Sequence, residues 1–563
     1  MSTSTNHRTS TSNTHASDPI VSSSNHDDLH SRLVAGVTEQ PKAFAMKDKV
    51  VPVNKDSFDS DSHFYPKTIN AQVSEIVSDF MMLGNSRILK RYLHLNPQVD
   101  EKHLTELLSY KPKFFHWSGA DLFNVTNSQG LRKMVLIETN SCPSGQKSMP
   151  VLNMHDDHGG YRTLIEKTFK PMLEEHEKQL GSNTVPNGKL AVIYDKNKME
   201  TSGYAATIAD VFGETVYLVE FLASDKDPPV RFVENGQILQ IRDKDNNWIN
   251  IRGCFRYVTQ RPWDRLPISK VRTMIMNPVI CCLAGGRNKL LAAKAYDFLN
   301  SQYNGYGIRL NTPRTIRDVE KKIVPIWVES FGGYAVVKNP YSNGGQGVWT
   351  ITSPQELEEF MKTEDRYDQF IVQSLIGNSK WSSHTHQGQL YHVGTVPDSK
   401  RNIYVADLRM MIMYDFAKGG FSPVALYARK AKSPLTDDIE GKDSWDMLGT
   451  NLSIKLGQDK WDTDQKRLII CDRKDFSKLG LGVDNLIDAF IQTVLATVAI
   501  DKLATRLITE NQRFDRDLFF SLNRDDALLH EICRIGDEQD NDEKSVNHDV
   551  ERTKFTATLN LNE

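Results

Sequence analysis

The sequence predicts a mixed α+β / α/β protein with a folded middle and two disordered ends. Three observations lead there. Short apolar runs of strand character alternate with helical stretches through residues 61–535. Residues 189–194, 204–212 and 215–221 read strand, helix, strand, the order of a parallel unit with a crossover helix. The ends cannot bury a core. Residues 1–30 hold 13 Ser or Thr against five apolar side chains, and residues 536–552 carry seven acidic side chains against two basic ones.

Residues 1–60 read as a Ser/Thr-rich disordered tail. Residues 61–185 open with helical spacing over 68–110, broken near Gly84-Asn85 and Asn96-Pro97. A strand pair follows at 119–125 and 133–139, joined by the polar turn 127–130, and then a helix over 161–180. Residues 186–312 start after the turn Pro186-Asn187-Gly188, contain the β-α-β unit and end in a helix over 288–299. The first turn of that unit, 195–203, is not G-x-G-x-x-G, so dinucleotide binding is unsupported. Residues 313–535 carry strands at 334–338, 348–351, 370–373, 404–413 and 422–429 and a long amphipathic helix at 486–508. A helix at 354–363 has Ser353 as N-cap and Glu356 as its N3 acid. Residues 536–563 read as an acidic disordered tail.

Composition removes several classes of function. The net charge of −3 offers no basic field for nucleic acid. The longest apolar runs, such as 486–500, are interrupted by Asp or Thr and fall short of the ~20 residues of a membrane span. Six cysteines without a C-x-x-C pair do not make a disulfide scaffold. With no apolar leader in residues 1–30, a reducing, cytoplasmic setting is expected.

The chemistry concentrates in a few segments. An apolar strand ends in Lys338 and is followed by a loop with Gly344, Gly345 and Gly347, then by a second strand. Such a loop lets backbone N–H groups approach a polyphosphate, although it is not a P-loop. A Gly-rich hairpin with a surface lysine is the plainer alternative. Residues 370–376, with Gln373, have the form of a hinge that offers backbone groups to a base edge. Asp407 and Arg409 lie two apart on an apolar strand, suited to act as a pair on one face, and Arg429 closes another strand. Upstream stands Glu138-Thr139-Asn140-Ser141-Cys142-Pro143-Ser144-Gly145, with Glu138 and Asn140 on one side of a strand.

This order resembles the ATP-grasp superfamily. The E-x-N-x-x-P-S-G segment precedes the lysine and glycine loop, so the chain is similar to a circularly permuted ATP-grasp family and, more distantly, to eukaryotic glutathione synthetase-like ligases. The resemblance covers roughly residues 114–508. It implies a site that holds ATP between two α+β subdomains. Lys289, Lys338, Gly344, Gly345, Gly347 and Gln373 would contact ATP. Asp121, Glu138 and Asn140 would hold Mg²⁺, a hard cation suited to few protein oxygens and several phosphate oxygens. Arg409 and Arg429 would act on the transferred phosphoryl and the carboxylate. The implied partners are small-molecule carboxylate and amine substrates, joined through an acyl phosphate. The alternatives are an ATP-grasp phosphotransferase, an AMP-forming ligase, or an inactive ATP-binding interaction protein.

The chain departs from these families in places. Asn140 and Pro143 stand one residue closer than in many members, and no Glu follows Lys338 where glutathione synthetases carry one. Gly441 to Trp445 resembles a family G-x-K-D-x-W element without its upstream Asn and Gly residues. Three further clusters read as ordinary. His384-x-His386 is expected in a mobile substrate loop, His155 to His158 as a helix cap, and Cys142 as unreactive for want of a paired His.

Overall fold

A computed structural model describes residues 49–533, apart from 154, 156, 235, 270, 343–344, 387 and 456–460. Gly344 and most of the two expected tails therefore lie outside the described residues. The hairpin read from the sequence is present and longer. β1 (Trp117–Thr126) and β2 (Arg132–Asn140) pair antiparallel around the Asn127–Gly130 turn. Their register shifts at Asp121/Leu122, leaving Ile137 as a bulge beside Glu138. Bulges re-aim side chains, and this one sits where the sequence placed metal ligands.

The chain then builds the α/β layer. β3 (Lys189–Tyr194), α1 (Lys198–Phe212) and β4 (Val216–Glu220) form the expected unit, and β5 (Trp248–Tyr257) pairs parallel to β3 on its other side. Antiparallel strands extend the sheet at both edges. One of them corrects the expected tail of residues 1–60. Val50–Val53 pairs with β4 as an edge strand, a four-residue apolar run hidden in a polar stretch. α2 (Lys289–Tyr303) follows, capped by the Asn288 side chain on the Leu291 N–H.

A separate antiparallel sheet comes next, in the order β6 (Thr315–Val319), β9 (Phe370–Ser374), β7 (Ala335–Lys338), β8 (Val348–Ile351). It has its own small core around Val328, Val337, Phe360 and Phe370. Ser353 caps the next helix as expected, but Glu356 reaches past the cap to Thr352 and to Ser444. The chain finally returns to the first sheet. β10 (Ala406–Asp415) pairs with β1, and β11 (Gly420–Lys430) pairs with β10. Segments from either side of the α/β layer thus share one sheet.

α3 (Val483–Arg506) packs across β1, β2 and β10. It is the one described helix long and apolar enough to cross a membrane, and most of it is buried inside the protein. Its buried Asp501 accepts the N–H groups of Lys113, Phe114 and Phe115 and the Tyr110 hydroxyl proton, which fixes the entry to β1. Four acceptor contacts satisfy a carboxylate that would otherwise be costly in a core.

Candidate functional site

The sheets meet around a cavity of about 250 Å³. Asp121, Glu138, Asn140, Lys289, Lys338, Gly345, Gln373, Arg409 and Arg429 all line it, while Gly347 does not. Side chains separated by up to 308 positions (429 − 121) therefore converge in one place.

Part of the cavity wall is an ion-pair cluster on the first sheet. Arg409 Nε and Nη2 donate to the two Asp121 oxygens at 2.6 and 2.7 Å, a bidentate pair across β1 and β10. Arg429 reaches Asp121 Oδ2 at 2.8 Å and forks onto Asp407, its cross-strand neighbour. Thr450 Oγ1 donates to Asp407 at 3.0 Å. All four charged residues are buried. Burial would raise the Asp121 carboxyl, but Arg409 and Arg429 overcome it and hold it well below the usual carboxylate range.

Two expectations change here. Asp407 and Arg409 do share a face, but each pairs across strands rather than with the other. Asp121 was expected to hold a metal, yet both its oxygens are committed to guanidinium groups. Buried arginines need counter-ions, and Asp121 serves two of them. For the same reason Arg409 and Arg429 are not free cations awaiting a phosphoryl group. Arg409 Nη1 turns to the Ser144 carbonyl at 3.3 Å.

Glu138 and Asn140 point into the cavity, and the intervening Thr139 points away to the Tyr296 hydroxyl at 2.8 Å. The Asn140 Nδ2 is buried and makes no hydrogen bond among the described residues. The following Pro143-Ser144-Gly145 turn is held by Glu200, a fully buried carboxylate on α1. Glu200 accepts from Ser144 Oγ at 2.8 Å, the Gly145 N–H at 2.9 Å and the Gln146 N–H at 3.1 Å. A Cβ at residue 145 would collide with Met411 and the Tyr427 ring, so the close turn requires glycine.

Lys289 joins two separate elements. Its Nζ lies 3.5 Å from Glu138 Oε1 and donates to the Ser342 carbonyl at 2.7 Å, two residues before Gly344. The E-x-N strand and the start of the glycine loop thus meet on one ammonium. Lys338 is buried nearby. Burial and Lys289 lower its ammonium to about 8, and Glu138 only partly opposes them. Gly345 sits against Trp445 and has a φ of +78°, and Gly347 has a φ of +64° with Asn339 where a Cβ would be. The Gly441–Trp445 element therefore closes on the glycine loop.

The expected hinge is occupied by its own chain. The Leu375 N–H donates to Ser383 Oγ at 2.6 Å, and its carbonyl accepts from the Ser383 N–H at 3.0 Å. His392, lowered to about 3 by burial, hydrogen-bonds the Ile376 backbone. The Gln373 side chain donates to Thr315 Oγ1 at 2.8 Å. The Trp381–His386 stretch was expected to form a mobile substrate loop. Instead it packs behind the hinge with Trp381 buried, because its hydroxyls satisfy hinge backbone groups.

No family model and no curated protein matches the chain. Among solved structures it is similar to a glutathione synthetase-like effector from Globodera pallida, with 10% identity, a TM-score of 0.33, and coverage of 65% of this chain and 85% of that one. It is also similar to an ATP-grasp RimK domain protein from Sphaerobacter thermophilus, with 11% identity, a TM-score of 0.25, and coverage of 42% and 90%. A D-alanine-D-alanine ligase from Coxiella burnetii gives 10% identity and a TM-score of 0.17, over 49% and 76%. At such identities and scores a likeness fixes no activity.

The remaining expected motifs resolve simply. Among the described residues no three His, Cys, Asp or Glu side chains gather as a metal cluster, and His384-x-His386 has no further ligand. His158 bonds Asp210 at 2.6 Å, whereas the next helix starts from Gly159 without a side-chain cap. Cys142 is buried, and burial pushes its thiol up. Several lining residues were not singled out from sequence: Lys147, Lys196, Asn197, Arg287 and Tyr427. Only the position of Lys196, just past the first strand of a β-α-β unit, gave a signal for it.

Proposed function

We propose that this chain is an ATP- and Mg²⁺-dependent carboxylate–amine ligase of a circularly permuted ATP-grasp type. It would form an amide or peptide bond in a small molecule and release ADP and phosphate. The observation that carries this reading is the bridge from Glu138 through Lys289 to Ser342, beside buried Lys338. It puts a hard oxygen pair and two cations where the glycine loop begins, an arrangement suited to a polyphosphate.

Glu138 and Asn140 fit a magnesium ion. Both line the cavity with side chains that carry a hard oxygen donor; the unpartnered atom of Asn140 is its amide Nδ2, a donor that would face an acceptor rather than the ion. Asp121 is left out of the ligand set, because its oxygens belong to the arginines. Glu138 and Asn140 would hold the ion, which would supply positive charge to offset that of the phosphates.

Lys289 and Lys338 hold the phosphates. Gly345, which lines the cavity against Trp445, narrows it against water that would hydrolyse an acyl phosphate. The substrate carboxylate oxygen attacks the γ-phosphorus as the bond to ADP breaks. The amine then attacks the carbonyl carbon, expels phosphate and loses a proton. Arg409 and Arg429, neutralised by Asp121 and Asp407, stiffen the wall against which these groups align.

The test is ADP and phosphate release by the full chain over a panel of carboxylate and amine pairs, beside Glu138→Gln. The reading expects ADP release that requires both partners and falls by at least ~100-fold in E138Q. AMP and pyrophosphate would identify an AMP-forming ligase, and ADP release without an amine a phosphotransferase. Equal behaviour of parent and E138Q would identify a binding protein.

A further inference from the structure

A second set of cations lines the same cavity where the α/β layer forms its wall. Lys196 follows β3, directly beside the end of β5, with Tyr194 and Tyr257 in register. β4 lies on one side of β3 and β5 on the other. Ligands bind in this crevice, at the carboxyl ends of parallel strands where connections depart to opposite sides.

The obvious counter-ion for Lys196 is its neighbour Asp195, but that carboxylate is spent elsewhere. It accepts the Thr259 and Gln260 N–H groups at 2.7 and 2.8 Å and pairs with Arg265 at 3.1 Å. Lys147 is buried, donates among the described residues to the neutral Asn197 side chain at 3.3 Å, and sits 5.0 Å over the Tyr65 ring. Among the described residues neither lysine has a carboxylate partner. Burial and the nearby Arg287 lower Lys196 to about 8, and Asp195 opposes them only in part. Lys147 is buried and Lys196 half-buried, and such charges are costly unless a ligand pairs them.

We propose that Lys147 and Lys196 anchor a non-reacting carboxylate of the small-molecule substrate. The site then selects an acid with a second carboxylate or an amine that carries one. This rests on the ligase reading for which group reacts, but not for the anion preference itself.

The test is calorimetric titration of the full chain, preloaded with Mg²⁺ and a non-hydrolysable ATP analogue. The probes are glutarate against butyrate, and glycine against glycinamide. One pair is expected to show at least ~10-fold tighter binding of the extra carboxylate, and which pair does so tells whether acid or amine carries it. The preference should vanish in Lys147→Gln and Lys196→Gln and return in Lys196→Arg. The ligand-free K196Q protein should melt at or above the parent temperature, because a half-buried charge without an ion-pair partner among the described residues has been removed.

No preference in either pair, or a preference unchanged in the variants, would overturn the proposal. So would a lower melting temperature for K196Q, which marks a structural cation. Loss of analogue affinity in the variants would overturn it too, by making these lysines phosphate ligands. Failure of the analogue to bind the parent counts against the ligase reading, and the carboxylate preference is then read without it.

Discussion

Two groups of buried charge face one cavity and are treated in opposite ways. On the first sheet, Arg409 and Arg429 are matched one for one by Asp121 and Asp407, with Thr450 supporting the cluster. On the other walls, Lys338 and Lys289 share Glu138, and Lys147 and Lys196 make no ion pair with a carboxylate among the described residues. The first group is complete without a ligand and serves as framework. The second group is short of paired negative charge, as the proposed binding of anions requires. The contrast separates residues that hold the site from residues that bind, which cavity lining alone does not.

The sharpest break would come from the framework. Asp121→Asn leaves two buried guanidinium groups short of a counter-ion and should cost about 3–5 kcal/mol in urea unfolding. The double variant with Arg409→Gln should recover part of that loss. A silent D121N would dissolve the distinction.

Lys338→Met probes the other group. ATP affinity should fall by about 10–100-fold, matching about 1.5–3 kcal/mol for charge-assisted bonds. Unfolding free energy should hold or rise, since a desolvated cation is removed. A large loss of stability would place Lys338 with the framework.

Glu200→Gln keeps the shape of the acceptor but turns an amide N–H₂ toward N–H and hydroxyl donors. About 1–2 kcal/mol of stability should be lost, with turnover reduced through the Ser144-Gly145 turn. Wild-type turnover in E200Q would detach that turn from the site.

The smallest effect is in pH. Lys338 titrates near 8 in the folded protein against a usual value of 10.5. Between those values the unfolded chain binds more protons, so this group's contribution to stability rises with pH through that window. Below about 8 the folded state bears the full cost of its charge. Binding needs the charged form, so ATP affinity should fall about fourfold between pH 7 and 8.5, with proton uptake seen in calorimetry. A flat profile would mean that Lys338 does not meet the phosphates.

Much of this fold was readable in the chain. The hairpin, the β-α-β unit and the short strands around the glycine loop follow from local periodicity; the strand bounds shift by two residues or fewer, while the crossover helix starts six residues earlier than its periodicity suggests. Pairing across the sheets was not readable. Asp121 and Arg409 stand 288 positions apart, and only β1–β10 register makes them neighbours. Without it Asp121 looked like a metal ligand, and Asp407 and Arg409 looked like a pair. Lys196 was not singled out, and the commitment of its neighbour Asp195 to Thr259 and Arg265 rests on contacts that span 64 and 70 positions. The Val50–Val53 strand was concealed because only docking against β4 gives so short a run a reason to order.

Calorimetric titration of the full chain with ATP and Mg²⁺ at pH 7 tests the site most directly, run beside K338M. One ATP per chain is expected in the parent, with affinity at least ~10-fold weaker in K338M and weaker again when Mg²⁺ is withheld. No heat of binding in the parent, or equal affinity in K338M, would contradict the ATP site proposed at Lys289, Lys338 and Glu138.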